Sequence, residues 1–550
     1  MSASTLPFTP LDRLLEAHRQ RFGAKPAIVD VDTGAQIGFD ALAGTVDAIA
    51  ARLAALGVPR GGRVMLVGDN GLDKLLMWLG AWRIGAVVCP VDLTFIGAAA
   101  TVPMLQAIDP VLLLLCGEDR GVEGLPAPWR SRVVLWGRGT PQNRSAAWQP
   151  GSLSRAVTDP MASPAADTPH IDLARILVDP PAAFPPLAPA PGPDDLAAMC
   201  CTSGTTGLPK IIVYDHAAYW YNGLSGVDFL NLSAGDRWLE FRSFNWYSAQ
   251  ILSLMPFLQT GMTLHVARRF SRSRFAQWIA AHAITGCAAV PAVINILLAD
   301  GRGPGVNDLR GLRIITSSTG PLSPVQWERF EARFGVPLMN LYGSSETGWV
   351  AGNRPDRHAF GTVGQRALHA DVSIVNTDGV RCAPGQEGQI VACGIQLALG
   401  QWTMEGTLLP IRGGPYRTRD VAVEDDAGFL RIVGRSDDLI IRGGVKMLPQ
   451  EIEDVLLSYP GVIDAAAMGR PDAIFGQEVV GFVVPSPAAP FDADVLLAHA
   501  AARLPNEKTP KEIIVVDALP RSDRGKLLRD RLKSLWWTAT QGDRSDDESE

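Results

Sequence analysis

The sequence predicts an α/β protein: a large N-terminal domain of parallel β-sheets with crossover helices, then a small, mobile α+β domain. Three observations predict it. At 550 residues the chain exceeds what one hydrophobic core usually supports, and its 47% hydrophobic and 19% charged residues are ordinary for a globular enzyme. Its first hundred residues alternate apolar runs with helical periods, the rhythm of strands joined by crossover helices. Beyond the stretch "FLRIVGRSDDLIIRGGVKMLPQEIEDVL" the pattern changes to a smaller mixture of helix and strand.

In order, "PAIVDV" reads as a strand, and Leu42, Val46, Ile49, Leu53 and Leu56 then fall on one face of a helix. "RVMLVG", a helix around "DKLLMWLGAWRIG", and "AVVCPVD" continue the alternation. From about residue 120 to 196 order weakens, ending in the Pro/Ala-rich "DPPAAFPPLAPAPGPDD", which predicts an irregular connection. "RIITSSTGPLS", "LMNLYGSSETG" and "EGQIVACG" are β-rich runs that end in small residues, where open α/β sheets bind ligands. Ile452, Val455, Leu456 and Tyr459 mark a helix of the small domain, followed by the strands "VVGFVVP" and "EIIVVDALP". The expected domains are 1–434 and 438–535, with a hinge at 435–437 and a disordered acidic tail over 536–550.

The net charge of −7, about half of it in "GDRSDDESE", argues against a general nucleic-acid binder. No basic segment leads into an apolar run at the N-terminus, and "VLLLLCG" is too short to span a bilayer, so no membrane insertion and a cytoplasmic location are expected. The seven cysteines are scattered and the eight histidines form no zinc pattern. Any metal should therefore be a hard, oxygen-bound ion.

The stretch "TSGTTGLPK", Thr202 to Lys210, has the glycines, hydroxyls and lysine of a phosphate cradle. It is not a P-loop: counting from Gly204, the second glycine position holds Pro209, and Ile211 follows the lysine where Ser or Thr is required.

Taken in order, "TSGTTGLPK", "LYGSSET", "YRTRDVA", "GRSDDLIIRGG" and "LPRSDRGKL" resemble the adenylate-forming superfamily of acyl-CoA synthetases, peptide-synthetase adenylation domains and luciferases, over roughly residues 10 to 535. The resemblance implies that Thr202, Ser203, Gly204, Thr205, Thr206, Gly207 and Lys210 embrace the β- and γ-phosphates of ATP. It implies that Tyr342, beside Gly343, packs on adenine, that Ser345 touches the α-phosphate, and that Glu346 holds Mg2+. Asp420 would take the ribose hydroxyls, a task suited to an acceptor-only carboxylate, with Arg435 reaching ribose or phosphate and Asp437 as pivot. Lys526 would be the catalytic cation between the two anions being joined. Ile211 and Arg419 stand where the family usually has glycine, and Ser345 where threonine is more frequent.

The resemblance implies an activated acyl-adenylate whose acceptor is a thiol. No carrier module follows the adenylating region, so coenzyme A is the leading acceptor, and Gly443 and Gly444 would let its thin pantetheine arm approach the backbone. A stand-alone enzyme loading a separate carrier protein is the alternative. A non-catalytic nucleotide-binding protein is a remote third reading, which the presence of Lys210, Glu346, Asp420, Arg435 and Lys526 opposes. Asn245, Trp246, Tyr247, Gly320 and Trp349 would line the acid pocket by the same resemblance. Amino-acid-activating relatives commonly carry aspartate near the position of Asn245; here that position is uncharged, and the aromatics favour an aryl or short-to-medium acid. Arg242 reads equally as the partner of a second substrate carboxylate or as a satisfied surface residue.

Overall fold

The computed structural model describes residues 7–116, 125–137, 170–173, 187–202, 209–298, 304–305, 307–487, 489–522 and 526–542. The chain forms two compact units: 1–270 with 344–348 and 393–414, and 271–343 with 349–392 and 415–550.

The first unit carries a sheet whose centre is parallel. Val87–Val91, Arg63–Val67, Leu112–Cys116, Val133–Gly137 and His170–Asp172 lie side by side in that order. Leu196–Thr202 joins Val87–Val91 in parallel, but Lys210–Asp215 then pairs antiparallel, with Thr202 opposite Lys210. The stretch between Thr202 and Lys210 therefore connects an antiparallel pair, whereas a P-loop connects a strand to a helix. Gly400–Trp402 and Leu408–Pro410 extend the same edge, so the expected parallel sheet is mixed at this side. Four more strands of this unit run in the order Arg237–Glu240, Thr263–Val266, Pro26–Asp30 and Gln36–Gly38.

Leu72–Arg83, mostly apolar around its circumference, is buried along nearly its whole length, and Lys74 and Arg83 are buried with it. A helical stretch from Tyr247 to Thr260 contains a π turn over Gln250–Leu254. Strand core residues such as Met65, Val67, Val87, Leu113 and Val213 pack into one cluster.

In the second unit, Gly286–Ala289, Ile314–Ser317 and Leu338–Ser344 run parallel. A four-stranded sheet of Asp371–Val375, Glu387–Cys393, Tyr416–Glu424 and Leu430–Arg435 follows. The small α+β segment has the hairpin Ile440–Arg442/Val445–Met447 and a sheet of Val462–Asp472, Gly476–Pro485 and Glu512–Val515. Pro449–Ser458 packs its Ile452 and Leu456 against that sheet.

The expectation of disorder from residue 536 is corrected, because the helix Arg529–Gly542 runs through 536–542. Leu532, Leu535 and Trp536 explain it: at i, i+3 and i+4 they form one apolar face packed on Ala466, Val480 and Phe482. Most of the weakly ordered 120–196 stretch, and 543–550, lie outside the described residues. Among the described residues no helix is long and apolar enough to cross a membrane.

Candidate active site

In the first unit, Lys210 opens its strand, and its Nζ lies 3.9 Å from Glu346 Oε1, an ion pair without a direct hydrogen bond. Ser345 and Glu346 sit at the tip of a turn closed on itself: Ser344 N donates to Thr347 Oγ1 and Thr347 N to Ser344 Oγ, both at 3.1 Å. The turn is anchored at both tip residues. Tyr214 Oη donates to the Ser345 carbonyl at 2.8 Å, and Ala398 N donates to the Glu346 carbonyl at 3.0 Å. Gly348 follows at φ +64°, where a Cβ would come within 2.2 Å of Asn222 Oδ1, so only glycine fits. Asn222 in turn donates to Tyr247 Oη at 3.1 Å and to the Gln396 carbonyl at 2.8 Å. Among the described residues no group of three His, Cys, Asp or Glu forms a metal cage. Mg2+ characteristically uses one or two carboxylates plus phosphate oxygens, which fits the single half-buried Glu346.

The residues of this unit expected to line the acid pocket are held by internal contacts. Tyr247 is buried and stacks on Tyr214 with ring centroids 3.9 Å apart, while Trp246 is half-buried. Asn245 is buried with both ends of its amide engaged: Oδ1 accepts from Lys74 Nζ at 2.6 Å and Nδ2 donates to Asp92 Oδ1 at 2.5 Å. Arg242 is neither on the surface nor open to a substrate carboxylate, because its guanidinium forks onto Glu240 in a fully buried pair.

The second unit gathers the residues expected around ribose. Tyr342 Oη donates to Asp420 Oδ2 at 2.5 Å, and Arg435 Nη1 donates to Asp420 Oδ1 at 3.3 Å. Burial and then the Asp420 charge hold the Tyr342 phenol protonated well above its usual range. Arg435 also forks onto Asp437 at 2.9 and 3.1 Å, and Arg419, the departure from glycine, reaches Asp437 at 3.0 Å. Burial opposes ionisation of Asp437, but the bonds from Arg435 and Arg419 win and push its pKa down to about 2. Lys526 is exposed at its surface yet crowded enough that desolvation lowers its pKa, helped by Arg435 and opposed by Asp420, Asp438 and Asp437. The geometry thus brings Tyr342, Asp420, Arg435, Asp437 and Lys526 together.

Gly443 and Gly444 form the hairpin turn at φ +56° and +85°; a Cβ at Gly444 would meet nothing within 4 Å. Gly320 is half-buried beside Pro291, and Trp349 is 2% exposed. Gly343 lies within the strand Leu338–Ser344. Thr202 ends its strand half-buried, while Ser203, Gly204, Thr205, Thr206 and Gly207 lie outside the described residues. Sequence reading missed Tyr214, Asn222, Lys74 and Asp92, since each acts by a contact that sequence spacing does not encode.

Residues 15–402 match the AMP-binding enzyme family, and 451–526 match the AMP-binding enzyme C-terminal domain. A sulfoacetate–CoA ligase from Cupriavidus necator is 31% identical over 97% of this chain and 99% of its own length. An indoleacetate–CoA ligase from Aromatoleum aromaticum is 32% identical over 64% of this chain and 69% of its own. The crystal structure of ATP-bound MatB from Rhodopseudomonas palustris shares the fold with a TM-score of 0.80, at 23% identity, over 96% of this chain and 99% of that one. The chain belongs to the AMP-binding enzyme family of the adenylate-forming superfamily, and it is an enzyme of the acyl-CoA synthetase kind.

Proposed function

We propose that this enzyme activates a small carboxylic acid, aryl or short-to-medium in length, with ATP and passes the acyl group to coenzyme A. A carboxylate oxygen attacks the α-phosphorus, the bond to the β-phosphate breaks, and pyrophosphate leaves with the electron pair. The thiolate of coenzyme A then attacks the acyl carbon of the adenylate and AMP leaves. Relatives named for sulfoacetate and indoleacetate support a compact or aryl acid.

The observation that carries this reading is the Tyr342–Asp420–Arg435–Lys526 group, in which one carboxylate is bounded by a phenol and cations. Asp420 offers its remaining lone pairs to the ribose hydroxyls. Arg435 and Lys526 supply positive charge for the nucleotide, Lys526 following charge as it moves onto pyrophosphate. Lys210 and Ser345 address the phosphates, with Glu346 the protein ligand of Mg2+. The ion would neutralise phosphate charge and favour the departure of pyrophosphate. Trp246 and Tyr247 form the acid wall, with Gly320 and Trp349 as its further members. Residues 438–535 act as a mobile domain turning about Asp437, so that Lys526 serves adenylation and Gly443 and Gly444 then admit the pantetheine arm.

ATP–pyrophosphate exchange across a panel of acids, followed by AMP release with and without coenzyme A, tests the proposal. Acid-dependent exchange with AMP release stimulated by coenzyme A is expected. Exchange with no stimulation by coenzyme A would overturn the acceptor, and no exchange with any acid would overturn the function.

A further inference from the structure

Lys74 is 1% exposed on a helix whose other buried residues, apart from Arg83 at its C-terminal end, are apolar. A buried ammonium costs several kcal/mol after relaxation unless partners compensate it. Its partners are the Gly68 carbonyl at 2.7 Å and Asn245 Oδ1 at 2.6 Å, while the carboxylate of Asp92 is reached through the other end of the Asn245 amide. This chain of contacts fixes the amide's direction. An ammonium only donates and an ionised carboxylate only accepts, so the Asn245 oxygen must face Lys74 and its nitrogen must face Asp92. The neighbouring backbone is pinned as well: Asn70 Nδ2 donates to the Arg242 carbonyl at 2.6 Å, and Phe244 N donates to Asn70 Oδ1 at 2.9 Å.

We propose that Lys74 sets the specificity of the acid pocket: by holding the Asn245 acceptor turned into the protein, it selects carboxylic acids that carry no ammonium group beside the carboxylate. The inference rests on the reading of Asn245, Trp246 and Tyr247 as the acid wall. An amino acid entering beside Asn245 meets a buried cation and an amide whose oxygen is already engaged. Its own ammonium would lie near the Lys74 charge, with the Asn245 oxygen already taken by Lys74 and Asp92 already engaged by the Asn245 nitrogen, a cost of the kind that gives strong discrimination between isosteric substrates.

The charge on Lys74 is itself titratable. Burial lowers its pKa to about 8, against the opposing influence of Asp92, Asp69 and Cys116. Asp69 is ion-paired with Arg268, Asp73 lies on the same helix, and burial first, then Asp73, pushes the Cys116 thiol up to about 11. Lys74, lowered to about 8, discharges between pH 7 and 9.

The test uses ATP–pyrophosphate exchange with the full enzyme and no coenzyme A, comparing one acid with its amino-substituted isostere. In Lys74→Met the KM for the plain acid should rise about tenfold with the KM for ATP unchanged, and discrimination against the amino acid should fall about tenfold. Lys74→Arg, which keeps the cation, should restore discrimination. In the unaltered enzyme the acid KM should climb as pH rises through about 8, whereas Lys74→Arg should stay flat. If Lys74→Met does not fold, the unaltered enzyme's profile decides: an acid KM level from pH 7 to 9 overturns the proposal. A folded Lys74→Met with unchanged acid KM and discrimination also overturns it, leaving Lys74 a structural residue. Absence of exchange by the unaltered enzyme with every acid would instead defeat the reading of the function.

Discussion

The Asp420–Arg435–Asp437–Arg419 cluster and the Lys74–Asn245–Asp92 cluster both join cations to carboxylates, but they are built for opposite purposes. In the first, the Arg419 and Asp437 side chains are 63% and 39% exposed, and water can replace either partner. In the second, Lys74 is buried and an uncharged amide stands between the charges. An exposed pair in high dielectric gains little and can exchange partners cheaply. A buried one must keep its partners or lose several kcal/mol. The difference suits a proposed hinge that must let go once per cycle and a proposed acid wall that must not move.

The comparison breaks most sharply at Lys526, the cation beside the exposed cluster that is proposed for chemistry. Lys526→Ala should slow adenylate formation by about two to three orders of magnitude, as for loss of one preorganised donor. Thiol transfer from preformed acyl-adenylate should be much less affected, and rapid mixing with each half-reaction separately would check both. Near-normal adenylation would remove Lys526 from the reaction.

A smaller effect is expected on the buried side. Tyr214→Phe keeps the ring stacked on Tyr247 and removes only the hydroxyl that holds the Ser345 carbonyl. The lost bond, about 1 kcal/mol, should appear as roughly a fivefold fall in the adenylation rate with acid KM unchanged. A drop in melting temperature without that change in rate would make Tyr214 purely structural.

Smaller still is Arg419→Gly, which restores the residue usual in the family. An exposed pair of this kind contributes about 0.2–1 kcal/mol. The thioester step should quicken relative to adenylation by no more than about fivefold, with stability nearly unchanged. Slowing of both half-reactions alike would argue against a hinge clamp. The smallest effect is on pH stability. Because Asp437 has its pKa lowered from 3.8 to about 2, its contribution is present above pH 3.8 and is lost as pH falls through about 2. Urea unfolding of Asp437→Asn should therefore lose part of the acid dependence of stability in that window.

The residues that the resemblance assigns to the nucleotide could be named because that chemistry demands fixed residue types inside short motifs. Asp420 and Lys526 could be assigned by number, and the structure places them with Arg435 in one electrostatic neighbourhood. The apolar periods also served: the expected helix around Leu42 to Leu56 spans Phe39–Ala55. The surroundings of the residues proposed for the acid wall were less legible. Asn245 was visible as an uncharged residue, but its meaning depends on Lys74, 171 residues away in sequence, inside a run that reads as an ordinary buried helix. Arg242 could not be placed for the same reason, since its partner Glu240 is close in sequence while its burial comes from distant packing. The helix through 536–542 escaped notice because the acidic run that ends the sequence obscured the apolar face of Leu532, Leu535 and Trp536.

The π turn at Gln250–Leu254 bears on how such an enzyme changes by insertion and deletion. A π turn accommodates one residue more than the α-helical turn it interrupts, and each residue of an α-helix advances it by about 100°. Gln250 holds this turn from both sides, accepting from Tyr219 Oη at 2.5 Å and donating to the Phe244 carbonyl at 2.6 Å. If the turn relaxed to regular helix with no residue lost, Tyr247 would swing by about 100° relative to Met255–Thr260, off its seat on Tyr214. A single-codon deletion at this point would let the helix become regular without that swing. Chain length and turn type are therefore coupled here: Tyr247 keeps its seat on Tyr214 either with the extra residue held in the π turn or with that residue deleted and the helix regular, and loses it when one changes without the other.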